Sequence, residues 1–223
     1  MMYFWPMISL QGLSHSYKEQ QSIPFKDWEV KQGQHWLILG ESGSGKSTLL
    51  NILTGLLKPT KGEVIINHQN LYELAGNALD RFRAQNMGLV FQKPHLIHSL
   101  TVRENLLITQ SFAGLTADQH RIEEVLTQLG IAQKINDYPN KLSAGQLQRV
   151  SIARAVLNKP KIIFADEPTS SLDDGNTQKV LDLLINQATL EGASLIIATH
   201  DKRVKHKIAH TYLIDSLDQP LQI

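Results

Sequence analysis

Gly40-Glu41-Ser42-Gly43-Ser44-Gly45-Lys46-Ser47 is a run of residue types suited to holding a chain of phosphates. Glycines let the backbone wrap closely around phosphate oxygens and turn successive N–H groups toward them. Lys46 is spaced to bridge the β- and γ-phosphates, and Ser47 offers a hydroxyl to Mg²⁺. All fixed positions of the G-x-x-x-x-G-K-[ST] phosphate-loop pattern are met. The flanks agree with it. Trp36-Leu37-Ile38-Leu39 reads as an apolar strand entering the loop, and Thr48-Leu49-Leu50-Asn51-Ile52-Leu53 as a helix leaving it. Such a helix directs its positive N-terminal end at the same anion. The expected ligand is a nucleoside triphosphate.

A second set of chemical groups ends another apolar run. Ile162-Ile163-Phe164-Ala165 is followed directly by Asp166 and Glu167. Ligands of open α/β sheets bind outside the carboxyl ends of the strands, so these acids should face the phosphate loop. Side chains alternate along an extended segment, and the two carboxylates therefore need different tasks. Asp166 is the expected Mg²⁺ partner through water; Glu167 is placed to orient and polarise an attacking water as general base.

Those groups need a parallel sheet to bring them together, and the chain supplies one. Strand-like runs occur at Ile8–Leu13, His35–Leu39, Glu63–Ile66, Gly88–Phe91, Lys161–Ala165, Ser194–Thr199 and Thr211–Ile214. Helical runs alternate with them, as expected for a mostly parallel sheet covered by helices. Thr116 with Gln119, and Thr101 with Glu104, have the spacing of capping boxes. Ile122, Val125, Leu126 and Leu129 then share one helical face before Gly130, and Val180, Leu183, Leu184 and Ala188 form a further stripe. From about Pro94 to Leu142 there is no strand-like run, so this stretch reads as a helical block inserted between strands of the main sheet.

Composition sets the remaining bounds. The 223 residues are 42% hydrophobic and 19% charged, with a net charge of +1 and no cysteine. An ordinary core is affordable, no overall field favours nucleic acid, and thiolate metal sites and cysteine nucleophiles are excluded. No run approaches the roughly 18 apolar residues of a spanning helix. A role at a membrane would require an anchoring partner.

Leu142-Ser143-Ala144-Gly145-Gln146 narrows the field, because it resembles the LSGGQ signature of the ABC ATPase superfamily. Gln148 to Ala155 extends the likeness, and the other family elements follow in order. Tyr17 resembles the aromatic that stacks on adenine, and Gln92 the Q-loop glutamine. Asp166-Glu167-Pro168-Thr169 resembles the Walker B continuation, Ser171-Leu172-Asp173 the D-loop, and Thr199-His200-Asp201 the segment of the switch histidine. Ala144 departs from the family by replacing the first signature glycine, Ser171 stands where alanine is common, and His98 where proline is frequent.

The resemblance covers essentially the whole chain and implies an α/β fold. That fold has a P-loop NTPase core (a RecA-like, mostly parallel sheet) with an N-terminal antiparallel β subdomain and an inserted α-helical subdomain. Residues 1–223 would form one domain, with 1–92 and 143–223 as β subdomain plus core and about 93–142 as the helical subdomain. It further implies an ATP hydrolase that uses Mg²⁺. ATP is held by Tyr17, by Gly40 to Thr48 (Gly40, Glu41, Ser42, Gly43, Ser44, Gly45, Lys46, Ser47 and Thr48) and by Gln92. Ser47, Gln92 and Asp166 serve the metal, and Lys46, Glu167 and His200 the reaction. Ser143, Gly145, Gln146 and Asp173 are expected to reach the ATP of a second copy, in a head-to-tail dimer that closes over two nucleotides.

The family's usual partner is a membrane permease, which would hold this subunit on the cytoplasmic face of the membrane. Pro94, Leu96, Ile97 and Leu100 lie where that partner docks, and serve either this contact or the packing of the helical block. The run Leu74-Ala75-Gly76-Asn77-Ala78-Leu79-Asp80-Arg81-Phe82-Arg83 resembles the lipoprotein-releasing and macrolide-exporting branch, and also its cell-division relative. DNA-repair and chromosome-structuring ATPases of this type insert long coiled coils. Only about 50 residues separate Gln92 from Leu142, without sustained heptads. No nucleic-acid partner is expected.

Overall fold

The computed structural model describes residues 5–17, 22–170 and 174–214. In chain order the strands are β1 (Ile8–His15), β2 (Ile23–Pro24), β3 (Trp28–Val30), β4 (His35–Leu39), β5 (Lys61–Ile66), β6 (Gln69–Asn70), β7 (Met87–Val90), β8 (Ile162–Asp166), β9 (Ser194–Thr199) and β10 (His210–Leu213). The helices are α1 (Lys46–Leu53), α2 (Asn77–Asn86), α3 (Val102–Phe112), α4 (Gln119–Gln128), α5 (Ala144–Val156) and α6 (Asp174–Leu190), with short 3₁₀ turns between some of them.

Two sheets divide the strands. β1 pairs antiparallel with β2, β3 and β5, and β5 with β6. The second sheet is wholly parallel, in the order β10-β4-β9-β8-β7. This is the α/β arrangement expected from the sequence: a parallel nucleotide-binding core with an antiparallel β layer. No strand occurs between residues 94 and 142, where α3 and α4 stand instead.

The period-2 alternation of the parallel strands builds two cores. Ile38, Ile162, Phe164, Ile196 and Ala198 pack with α1 and the apolar face of the antiparallel sheet. Leu37, Leu39, Ile163, Ala165, Leu195 and Ile197 point the other way, against α5, α6 and the inserted helices. Every residue of β9 is buried. A strand covered on both faces reads as a continuous apolar run, as Leu195–Ala198 does.

Helix starts follow their caps, with one correction. Thr101 and Glu104 form the expected capping box on α3. The box expected from Thr116 and Gln119 does not form: Asp118, two residues later, caps α4 by accepting from the Arg121 N–H. Asp and Ser or Thr cap comparably well, and the aspartate stands directly before the first helical residue. On α6 the fully buried residues are Thr177, Leu181, Leu184 and Ala188, while Val180 and Leu183 flank that face half-buried.

Candidate active site

The register of the parallel sheet assembles the site. Leu39 lies beside Thr199, Asp166 beside Ala198, and Val90 beside Ala165. The carboxyl ends of β4, β9, β8 and β7 therefore line up along one edge. From that edge emerge the phosphate loop, His200, Asp166 with Glu167, and Gln92, which are far apart in sequence.

All but Asp166, which stands behind Ser47 and does not line it, border a cleft of about 540 Å³. Of the residues expected at a nucleotide site, Tyr17, Ser42, Gly43, Gly45, Lys46, Ser47, Thr48, Gln92, Glu167 and His200 line it, joined by Ile23 and Ser170. Gly40, Glu41 and Ser44 shape the loop from behind. A Cβ on Gly40 would come within 2.4 Å of Ser44 Oγ and 3.0 Å of the Ile214 carbonyl, so a larger residue there would force the loop to shift. Gly45 sits at φ 103° directly before α1, a conformation other residues rarely adopt.

Lys46 is buried, and its Nζ donates to the carbonyls of Gly40 at 2.9 Å and Glu41 at 2.8 Å. Ser47 Oγ stands 3.4 Å from Asp166 Oδ1. Burial lifts the Asp166 carboxyl above its ordinary range; the Ser47 hydrogen bond and the Lys46 charge oppose this, and the Glu167 charge adds to it. A hydroxyl and a carboxylate this close, with the Gln92 amide on the same cleft, are the hard oxygen donors that Mg²⁺ takes in phosphate sites. Among the described residues no cluster of three or more His, Cys, Asp or Glu could hold a metal alone. An ion here would thus share its coordination with phosphate and water.

Glu167 is the most constrained side chain of the site. Its backbone has φ 47°, uncommon for a residue with a Cβ. Oε1 lies 2.8 Å from His200 Nδ1 and accepts the His200 backbone N–H at 3.1 Å, while Oε2 accepts from Thr199 Oγ1 at 2.9 Å. Gln92 Nε2 donates to Ser170 Oγ at 2.9 Å, and that hydroxyl donates on to the Glu167 carbonyl at 3.2 Å. Tyr17 stands at the far end of the cleft. Its hydroxyl pairs with Thr48 Oγ1 at 3.1 Å, and its ring packs edge-on to His15.

The signature segment does not belong to this cleft. Ser143 caps α5 in a reciprocal box with Gln146 and is exposed, as are Ala144 and Gly145. A Cβ on Gly145 would meet nothing within 4 Å. Ala144, the departure from the family's glycine, is the first helical residue and faces solvent, where a methyl costs nothing. Asp173, expected to act with this segment, lies outside the described residues, as do Ser171 and Leu172. Ser170 is a cleft residue that sequence reasoning passed over, although its place three residues after Glu167 at a turn was a usable signal.

Comparison with known proteins agrees with this geometry. Residues 26–170 match the family model described as ABC transporter. The chain is 40% identical over 210 residues to the methionine import ATP-binding protein MetN 3 of Shouchella clausii, covering 92% of this chain and 61% of that one. It is 41% identical over 189 residues to the putative hemin import ATP-binding protein HrtA of Staphylococcus epidermidis (83% and 85%). It is 38% identical over 205 residues to the macrolide export ATP-binding/permease protein MacB of Wolinella succinogenes (89% and 32%). The chain thus spans less than two thirds of the length of MetN 3 and about a third of MacB. Among solved structures, the dimeric bacterial ABC transporter cassette MJ0796 superposes with a TM-score of 0.84 at 35% identity, covering 96% of this chain and 97% of that one. A post-hydrolysis dimer of the same cassette, bound to ADP and Pi, gives 0.83. With a signature segment, a phosphate loop and an acidic strand end in one such frame, the chain belongs to the ABC transporter family of ATP-binding proteins.

Proposed function

We propose that the chain binds ATP with Mg²⁺ and hydrolyses it between two copies of itself, driving a separate membrane permease from the cytoplasmic face. The observation that carries this reading is the position of Glu167. It lies at the cleft, 2.8 Å from His200, on the same sheet edge as Lys46. In this reading Lys46, Ser47 and the loop amides hold the phosphates, Tyr17 stacks on adenine, and Ser47, Asp166 and Gln92 serve the metal. Mg²⁺ supplies charge neutralisation on the phosphate oxygens. Glu167 aligns and polarises the attacking water, and His200 contacts the γ-phosphate. Catalysis of this kind is mostly positioning and electrostatics.

The second copy enters because Ser143 and Gly145 are exposed, Gln146 is half-buried, and all three stand off the cleft of their own chain. A helix N-terminus with free donors suits a phosphate, and a twofold dimer would bring it, with Asp173, to the partner's ATP. The permease would sit in a mainly apolar groove of about 590 Å³ between α2, α3 and α5. Of the cluster expected there, Leu96 is buried in the core, while Ile97 is exposed and lines the groove with Phe112. The named relatives are a methionine import, a putative hemin import and a macrolide export protein. For cargo we favour the lipoprotein-releasing or macrolide-exporting type, on the run Leu74–Arg83.

Glu167→Gln tests the reading. With Mg-ATP the variant should elute at twice the mass of one chain, with phosphate release down about a hundredfold or more. Single chains under those conditions, or ordinary turnover, would overturn it.

A further inference from the structure

Thr199 ends β9 fully buried, beside Leu39, the last residue before the phosphate loop. Its hydroxyl has two partners. The backbone N–H of Asp201 reaches Oγ1 at 3.0 Å, and Glu167 Oε2 lies 2.9 Å away. An N–H can only donate, so the first contact uses a lone pair of Oγ1. A hydroxyl carries a single proton, and the carboxylate is the acceptor left for it. The direction of this hydrogen bond is thereby fixed, from Thr199 to Glu167.

The donor is itself held in place. Asp201 is gripped by Arg203, whose Nε lies 2.8 and 3.0 Å from the two carboxylate oxygens and whose Nη2 lies 2.7 Å from Oδ2. Thr169 Oγ1 reaches Asp201 Oδ2 from the other side at 3.4 Å. This guanidinium holds the Asp201 carboxyl below its usual range. A continuous set of contacts therefore runs from Arg203 through Asp201 and Thr199 to Glu167. At its end stands a residue whose left-handed backbone needs surrounding structure to hold it.

We infer that Thr199 is a positioning residue for hydrolysis: its hydroxyl pins Oε2 of Glu167 so that Oε1 is held toward His200 and the cleft. The inference rests on the reading of Glu167 as general base. Thr199 does not line the cleft, so it acts through the carboxylate and not on nucleotide. Small misplacements of a reacting group cost rate far more than affinity, which gives this role its own signature.

Thr199→Val removes the hydroxyl and keeps the shape, and Thr199→Ser keeps the hydroxyl; Thr199→Ala replaces the valine variant if valine is not accommodated. Steady-state ATPase assays should show kcat of Thr199→Val lowered roughly ten- to a hundredfold, the loss of one hydrogen bond to a charged group. KM for ATP should stay within about twofold, and Thr199→Ser should keep most of the wild-type rate. Wild-type kcat in Thr199→Val overturns the inference, as does a serine variant no better than valine, or an equal loss in ATP binding. The double variant Glu167→Gln/Thr199→Val separates the two claims. If Thr199 works through Glu167, the double variant is no slower than Glu167→Gln alone, and a further multiplicative loss overturns the positioning role. Normal turnover in Glu167→Gln alone instead removes the base assignment.

Discussion

The ammonium of Lys46 closes back on its own loop, donating to the Gly40 carbonyl across 2.9 Å. A second bond, to the Glu41 carbonyl at 2.8 Å, leaves it held inside the turn that the phosphates would fill. In the proposed ATP-binding role the charge is thus in place before any anion arrives. Pre-organised sites of this kind lose affinity when the organising group is removed.

Lys46→Ala should weaken ATP binding itself, by about ten- to a hundredfold, the range for charge-assisted hydrogen bonds. Titration with a fluorescent ATP analogue reads this directly. Lys46→Arg should not restore binding, because a planar fork cannot replace a compact ammonium within so small a turn. Tight binding by the alanine variant would leave the phosphates to the backbone amides alone.

Asp166 carries a cost at neutral pH. Burial raises its folded-state pKa above the ordinary 3.8, so the folded chain binds this proton more tightly than the unfolded chain. Stability then falls as pH rises from 3.8 through the folded value, and the penalty is complete above it. Asp166→Asn removes the charge. Its melting temperature at pH 7 should lie above that of the wild type, and the gain should vanish in buffers below 3.8. The same variant should lose Mg²⁺-dependent ATP turnover. An unchanged melting temperature at pH 7 would show that the carboxylate is better solvated than its surroundings indicate.

The groove between α2, α3 and α5 can be tested apart from the chemistry. Phe112 is 71% exposed at its rim. Phe112→Asp should abolish co-purification with a membrane permease from detergent extracts, while the isolated chain keeps its ATP turnover. Undiminished capture would move the docking surface elsewhere.

Much of this could be read from the sequence because the informative groups sit at strand ends. Each of the seven expected strands forms within two residues of its expected limits. Buried parallel strands are continuous apolar runs, and the groups that follow them are brought together by register alone. The elements not foreseen had no such signal. β2, β3 and β6 are two or three residues long, too short for a period to show. Helix α2 has no buried residue, and only Leu79 and Phe82 lean half-buried on the core, too short a stripe to mark the stretch Asn77–Asn86 as a packed helix. The contacts of Thr199 and Ser170 with Glu167 depend on side-chain directions at turns, which spacing does not specify.

Arg121 makes a buried junction whose removal should be more damaging than any surface change. On α4 it is nearly inaccessible, and it donates from Nε to the Leu157 carbonyl at 3.3 Å and from Nη2 to the Val156 carbonyl at 3.2 Å. Nη1 meets Glu124 at 3.0 Å, and Nη2 pairs with the equally buried carboxylate of Glu191, just past α6. The guanidinium thereby joins α4 to the last turns of α5 and α6, and its charge favours the carbonyl end of α5. Arg121→Met leaves Glu191 buried without a counter-charge and should cost about 3–5 kcal/mol in urea unfolding. Adding Glu191→Leu removes that stranded charge and should recover most of the loss, although the α5 carbonyls still lack their donor. If instead the double variant were as unstable as the single one, the two carbonyl contacts would be the main contribution of Arg121, and the ion pair a minor one.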